Sequence, residues 1–250
     1  MLFKRKETTK PRTWVVRGGE VKNLTLAVLG SEHTLIAGTT GCGKSTLVNG
    51  LICDLLKCKA PSEARLVLLD PKRLELGQLR DLPHTIRYEN TTEGCVNALE
   101  WCVAEMNRRY EVTQRTGARA WSGSHIYVVI DELVPLVLGK TRGDFNRLMG
   151  LLMTQGRASG IHIIACTQCP NRDCLNKYIK PLFDMRIGMR CAEAIESREV
   201  IGVKGCESLP IHGVLLVRYK GSIQTVSVPM TDYRELDDLV SYWTSSRCVA

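Results

Sequence analysis

The sequence predicts an α/β fold: a mainly parallel sheet flanked by helices, followed by a C-terminal β-hairpin and a last helix. Three observations carry this expectation. Short β-rich runs alternate with helical periodicity from residue 33 onward, the pattern of strands joined by helical crossovers. The composition, 44% hydrophobic and 24% charged, is that of a soluble globule and excludes disordered, collagen-like and coiled-coil classes. No internal repeat, low-complexity segment or linker rich in Pro, Gly or Ser divides the 250 residues, so residues 13–250 are expected to form one large domain.

The elements follow in order. A first strand is predicted at His33–Ala37, then a glycine-rich loop and a helix over TLVNGLICDLL (46–56). A second strand covers Ala64–Leu69. Val96, Leu99, Val103, Met106 and Tyr110 then recur at helical spacing. The strand Ile126–Ile130 precedes a second helical face of Phe145, Leu148, Met149 and Leu152. Strands at Ile161–Cys166 and Met185–Met189 complete the predicted parallel set, and Val214–Tyr219 with Ile223–Val228 read as a hairpin. The last helix presents Leu236, Leu239, Val240 and Trp243 on one face, with Asp232 and Glu235 at the positions of an N-cap and its partner.

Charge and cysteine narrow the class. Lys and Arg number 34 against 26 Asp and Glu, a net +8. Residues 1–12 hold Lys4, Arg5, Lys6, Lys10 and Arg12 against Glu7, which makes a basic arm on a nearly balanced body. Such an arm suits a polyanion, although for the arm alone a solvated terminus is the simpler reading. No run approaches the roughly 18 apolar residues of a membrane span, and no signal-peptide core follows the N-terminal charges. Eleven cysteines in a chain of this size read as reduced thiols rather than a disulfide framework. The cluster Cys166, Cys169 and Cys174 lacks a second pair or a nearby His at zinc spacing.

The chemistry concentrates in three places. Gly38-Thr39-Thr40-Gly41-Cys42-Gly43-Lys44-Ser45-Thr46 is a full G-x-x-x-x-G-K-S match between a predicted strand and a predicted helix. Glycines let such a loop curl so that backbone N–H groups face phosphate oxygens, and the helix N-terminus adds its positive end. Lys44 is then placed to contact the β- and γ-phosphates of ATP, and Ser45 to offer a hydroxyl to Mg²⁺. Asp131 and Glu132 end the Ile126–Ile130 strand, where Asp131 suits the metal's water shell and Glu132 suits deprotonation of an attacking water. Gln168 closes the Ile161–Cys166 run, where an amide can sense the γ-phosphate. Together the three elements favour nucleotide hydrolysis over phosphoryl transfer to a metabolite. Arg157 is a candidate for the further cation that such hydrolysis needs, although an Arg at a helix end often only complements the dipole.

The segments LIAGTTGCGKS (35–45), DPKRLEL (70–76), LPH (82–84), EMNRRY (105–110), VVIDEL (128–133), QGRASGIHIIACTQ (155–168) and IKPLFDMRI (179–187) resemble, in order and spacing, the motor core of FtsK/SpoIIIE-type DNA translocases. The resemblance runs from about Thr13 to about Val240. It implies a RecA-like P-loop ATPase core that assembles as a hexameric ring and pumps double-stranded DNA using ATP. It also implies that Arg157 acts across subunits as an arginine finger and that Lys180 faces DNA in the pore. Cys169 stands where the family usually has Arg, and Arg172 is the nearest basic substitute. The family's winged-helix module and membrane region are not seen, so a minimal, cytoplasmic motor of a conjugative element, plasmid or phage is expected. That reading leaves room for a membrane or relaxosome-type partner. Two alternatives stay open at this point: a secretion-type ATPase that moves protein, and an ATP-regulated DNA-binding scaffold.

Overall fold

The computed structural model describes residues 15–16, 28, 30, 32–171, 174, 177–228 and 231–245. The basic arm at 1–12 and Arg172 lie outside the described residues. The strands are β1 (Val15–Val16), β2 (Thr34–Ala37), β3 (Ala64–Leu69), β4 (Thr85–Glu89), β5 (His125–Ile130), β6 (Ile161–Thr167), β7 (Met185–Gly188), β8 (Val214–Tyr219) and β9 (Ser222–Ser227). They form one sheet in the order β1-β9-β8-β7-β2-β6-β5-β3-β4. From β7 to β4 all neighbours are parallel, while β8, β9 and β1 add antiparallel strands beyond β7. The expected fold class is therefore observed, with the hairpin welded to the parallel sheet.

Strands β3, β5 and β6 are almost wholly apolar because both faces of the sheet are covered. Side chains alternate between the two layers. Leu66, Leu68, Tyr127 and Val129 pack with the helices α1 (Lys44–Cys58) and α6 (Tyr233–Ser245). Val67, Leu69, Ile126, Val128 and Ile130 pack with α2 (Thr92–Thr116), α3 (Val134–Leu138) and α4 (Arg142–Gln155) on the other face. Thr91 caps α2 by accepting from the Gly94 amide at 3.0 Å.

The C-terminal helix is fastened to α1. Trp243 Nε1 donates to the Leu56 carbonyl at 3.2 Å, and Thr231 Oγ1 donates to the Thr46 carbonyl at 3.1 Å. Asp232 accepts from the Arg234 amide at 3.0 Å, as a cap should, and Glu235 forms an ion pair with Lys57 of α1. Lys220 and Gly221, both left-handed, make the two-residue hairpin turn that joins β8 to β9.

Besides the two-residue strand β1, three elements were not anticipated from the sequence. Strand β4 is a half-buried edge whose TIRYE sequence lacks a clean apolar face. Helix α3 is five residues long with a proline in its first turn, and α5 (Ala194–Ile201) is only eight residues long. Expected boundaries also move: the first strand starts at Thr34, because the His33 amide turns to Asp184 Oδ2, and β6 runs on to Thr167.

Candidate nucleotide site

The loop Gly38–Thr46 leaves β2 between its two parallel neighbours. The Gly38 amide donates to the Thr167 carbonyl at the end of β6, and the Thr39 amide donates to the Arg190 carbonyl just beyond β7. A Cβ on Gly38 would sit 2.8 Å from both Cys42 Sγ and Met189 Cβ, so only glycine passes there. Gly43 takes φ 93°, a left-handed turn that starts α1 without a side-chain cap. The Lys44 ammonium is buried and curls back onto its own loop, donating to the carbonyls of Gly38 at 2.5 Å and Thr39 at 2.9 Å. Cys42, Ser45 and Thr46 lie in the loop and the first turn of α1. The Thr46 hydroxyl meets the Tyr233 hydroxyl at 3.1 Å.

Strand order then brings the other candidates to the same end of the sheet. β6 lies between β2 and β5, so Gln168 at its carboxyl end sits between the loop and the Asp131–Glu132 pair. Thr40 Oγ1 donates to Gln168 Oε1 at 2.9 Å. The Gln168 backbone N–H donates to both Glu132 oxygens at 3.2 Å. Glu132 is 1% exposed and also accepts from the Val134 amide at 3.3 Å and from Lys72 Nζ at 3.0 Å. Loop, amide and acid are therefore one hydrogen-bonded chain.

Lys72 is the residue that the sequence reading did not single out. It lies in a loop folded around Asp70, which is fully buried and accepts from the amides of Leu74, Glu75 and Leu76. The only sequence signal was its place in DPKRLEL, directly after a strand that pairs with the acidic one.

Asp131 is pushed up to about 6, first by burial and then by the charges of Asp70, Glu75 and Glu132. Such a crowd of carboxylate oxygens is one that a hard divalent cation relieves, and a hydroxyl and a carboxylate are the donor types such a cation takes. The donors present therefore fit Mg²⁺. Among the described residues there is no group of three or more His, Cys, Asp or Glu that could hold a metal alone. A cavity of about 440 Å³ opens beside the loop, with Gly43, Thr46, Met189, His212 and Thr231 in its wall. This is room for a nucleoside next to the phosphate loop.

Arg157 and Lys180 stand apart from this cluster. Arg157 belongs to the short 3-10 turn Gly156–Ser159, which precedes β6, whereas Gln168 follows it. Seven strand residues, roughly 20 Å, separate the two ends. The guanidinium is half-exposed and pairs with Asp184 at 2.8 Å and Glu32 at 3.5 Å. Lys180 opens the turn Lys180–Leu182 and forms an ion pair with Glu199 of α5, so its ammonium is engaged rather than free. Lys177 and Tyr178, on the same loop, are exposed.

Comparison with known proteins gives the family and the fold. The sequence model of the FtsK/SpoIIIE family matches residues 5–201. The chain is 34% identical over 211 residues to the DNA translocase FtsK of Borreliella burgdorferi, covering 78% of this chain and 27% of that protein. It is 33% identical over 227 residues to the DNA translocase SftA of Bacillus subtilis, covering 84% of this chain and 24% of that protein. It thus spans about a quarter of the length of these relatives. Among solved structures, the cytoplasmic domain of the type VII secretion ATPase EccC of Thermomonospora curvata superposes with a TM-score of 0.77 at 21% identity, covering 97% of this chain and 33% of that one. The pCW3 conjugation coupling protein TcpA, solved with ATPgS, gives 0.76 at 21% identity, covering 95% of this chain and 72% of that one. These likenesses give the fold as that of P-loop ATPases. Among the described residues no helix is long and apolar enough to cross a membrane. With the family's sequence model matched over most of the chain and the loop, acid pair and glutamine gathered at one end of the sheet, the chain belongs to the FtsK/SpoIIIE family.

Proposed function

We propose that this chain is the motor of an ATP-driven double-stranded DNA translocase that works as a ring, most simply a hexamer. The observation that carries the reading is the chain of contacts from Thr40 through Gln168 to Glu132, at the carboxyl ends of three adjacent strands. It supports one nucleotide site in which Gly38–Thr46 cradles the phosphates. Lys44, now on the loop carbonyls, exchanges them for phosphate oxygens when ATP enters. Ser45 and Asp131 would hold Mg²⁺, which when bound neutralises phosphate charge. Glu132 takes the proton of the attacking water, and Gln168 links the γ-phosphate position to Glu132 through its own amide. Because Arg157 sits at the far end of β6, it serves a neighbour's site in a ring.

The segment between Gln168 and Lys180 couples this site to DNA, and its cations grip phosphates without reading bases. DNA is favoured over protein as the cargo because the relatives at 33–34% identity are DNA translocases, whereas the secretion ATPase is similar at 21%. The test is steady-state ATPase activity with Mg²⁺, with and without duplex DNA. The reading expects severalfold stimulation by DNA of unrelated sequences. Turnover indifferent to DNA would overturn it.

A further inference from the structure

The segment Glu105-Met-Asn-Arg-Arg-Tyr110 has no part in the nucleotide site, yet its side chains converge on the turn that carries Arg157. Tyr110 donates its hydroxyl to the Gln155 carbonyl at 2.6 Å, just before the turn. Arg109 Nη1 donates to the Ser159 carbonyl at 2.9 Å and the Gly160 carbonyl at 3.4 Å, at the other end. Glu105 Oε1 accepts from Arg109 Nε at 2.8 Å and so fixes the guanidinium plane. Trp121 covers that plane, 4.7 Å from its ring centre, and its own amide donates to the Ala158 carbonyl at 3.0 Å. The carbonyls of Gln155, Ala158, Ser159 and Gly160, on either side of Arg157, are thus pinned from outside the turn, while Arg157 itself is half-exposed.

The contrast between the two arginines is informative. Arg109 is only 3% exposed, and burying a guanidinium is costly unless its donors are matched. Here Nε is matched to the Glu105 carboxylate and Nη1 to the carbonyls of Ser159 and Gly160 at the end of the turn, so the ion-paired guanidinium also fixes backbone. A residue that must reach across a subunit boundary loses rate steeply when misplaced by about 1 Å. A rigid turn under Arg157 meets that demand.

We propose that Arg109 and Tyr110, oriented by Glu105 and Trp121, are positioning residues that hold the Gly156–Ser159 turn so that Arg157 enters the neighbouring subunit's nucleotide site. This rests on the trans reading of Arg157 given above. The variants are Tyr110→Phe, which keeps the ring and loses only the hydroxyl, and Arg109→Lys, which keeps the charge and loses the fork. With saturating DNA, each is expected to lower kcat about tenfold or more while KM for ATP stays within twofold, because each chain's own phosphate loop is untouched.

Mixed rings give the decisive readout. A 1:1 mixture of Tyr110→Phe with Glu132→Gln should exceed the average of the two separate preparations, since one interface pairs a well-held Arg157 with an intact Glu132. A mixture of Tyr110→Phe with Arg157→Ala should not, since no interface then has a well-held finger. Unchanged kcat in both variants would overturn the proposal. So would failure of Tyr110→Phe to complement Glu132→Gln where Arg157→Ala does, because the lesion would then lie in the fold of the chain. Failure of Arg157→Ala itself to complement, in rings shown to be mixed, would remove the trans reading and this proposal with it.

Discussion

Glu132 is buried and held by three donors, two backbone amides and Lys72. Glu132→Gln keeps the shape and cannot take a proton, so turnover should fall about 10²–10⁴-fold with nucleotide binding retained. Turnover near that of the parent chain would remove Glu132 from the base role. Lys44→Ala should instead weaken nucleotide binding itself, measured by titration with a fluorescent ATP analogue, because a phosphate contact is lost. Lys72→Met should destabilise the chain by about 1–3 kcal/mol, since a buried carboxylate loses its cation. Chemical denaturation measures this, and an unchanged midpoint would show that the amides alone suffice. The phosphate loop was legible in the sequence because its chemistry is local and contiguous. Lys72 was not, because it meets Glu132 across 60 residues of sequence through the pairing of β3 with β5.

At the scale of elements, the loop after β6 and the helix α5 act together through the Lys180–Glu199 pair. The resemblance implies that Lys180 faces DNA, but its pairing with Glu199 was not foreseen because α5 is too short to stand out in the sequence. DNA phosphates must compete with Glu199 for this cation. Glu199→Gln is therefore expected to tighten duplex binding, and Lys180→Ala to lower the slope of log affinity against log salt by roughly 0.9, equally on unrelated sequences. A slope unchanged by Lys180→Ala would move the grip to other residues of the loop, such as the exposed Lys177, or to the N-terminal arm. The long strands and helices were legible because periodicity averages over many residues. Strand β4 and helices α3 and α5 were not, because at five to eight residues tertiary packing decides their conformation.

Across the whole molecule, parallel strands give the sheet two unlike ends. The carboxyl ends gather the phosphate loop, Asp131, Glu132 and Gln168, while the opposite end holds Arg157, the buried imidazoles of His33 and His84, and the half-buried His125. Burial lowers all three, and His33 falls to about 4, against an ordinary 6.5. Between those values the unfolded chain binds a proton that the folded chain refuses. Stability therefore falls as pH drops from 6.5 toward 4, by up to about 3 kcal/mol for His33 alone. Asp131, raised to about 6, binds its proton more readily when folded and works the other way. Comparing the chain with His33→Asn by urea denaturation at pH 7 and pH 4.5 isolates the imidazole. The parent should lose stability relative to the variant at the lower pH, and a constant difference would contradict neutral burial.

The polarity of the sheet suits the proposed motor, in which nucleotide binds at one end and Arg157 at the other serves the next subunit. In that proposal ATP hydrolysis moves the ring along duplex DNA. Displacement of a third strand from a triplex on a linear duplex measures that movement without requiring strand separation. Displacement is expected to need ATP and Mg²⁺, to be abolished by Glu132→Gln, and to occur regardless of the flanking sequence. Robust DNA-stimulated hydrolysis with no displacement would contradict translocation.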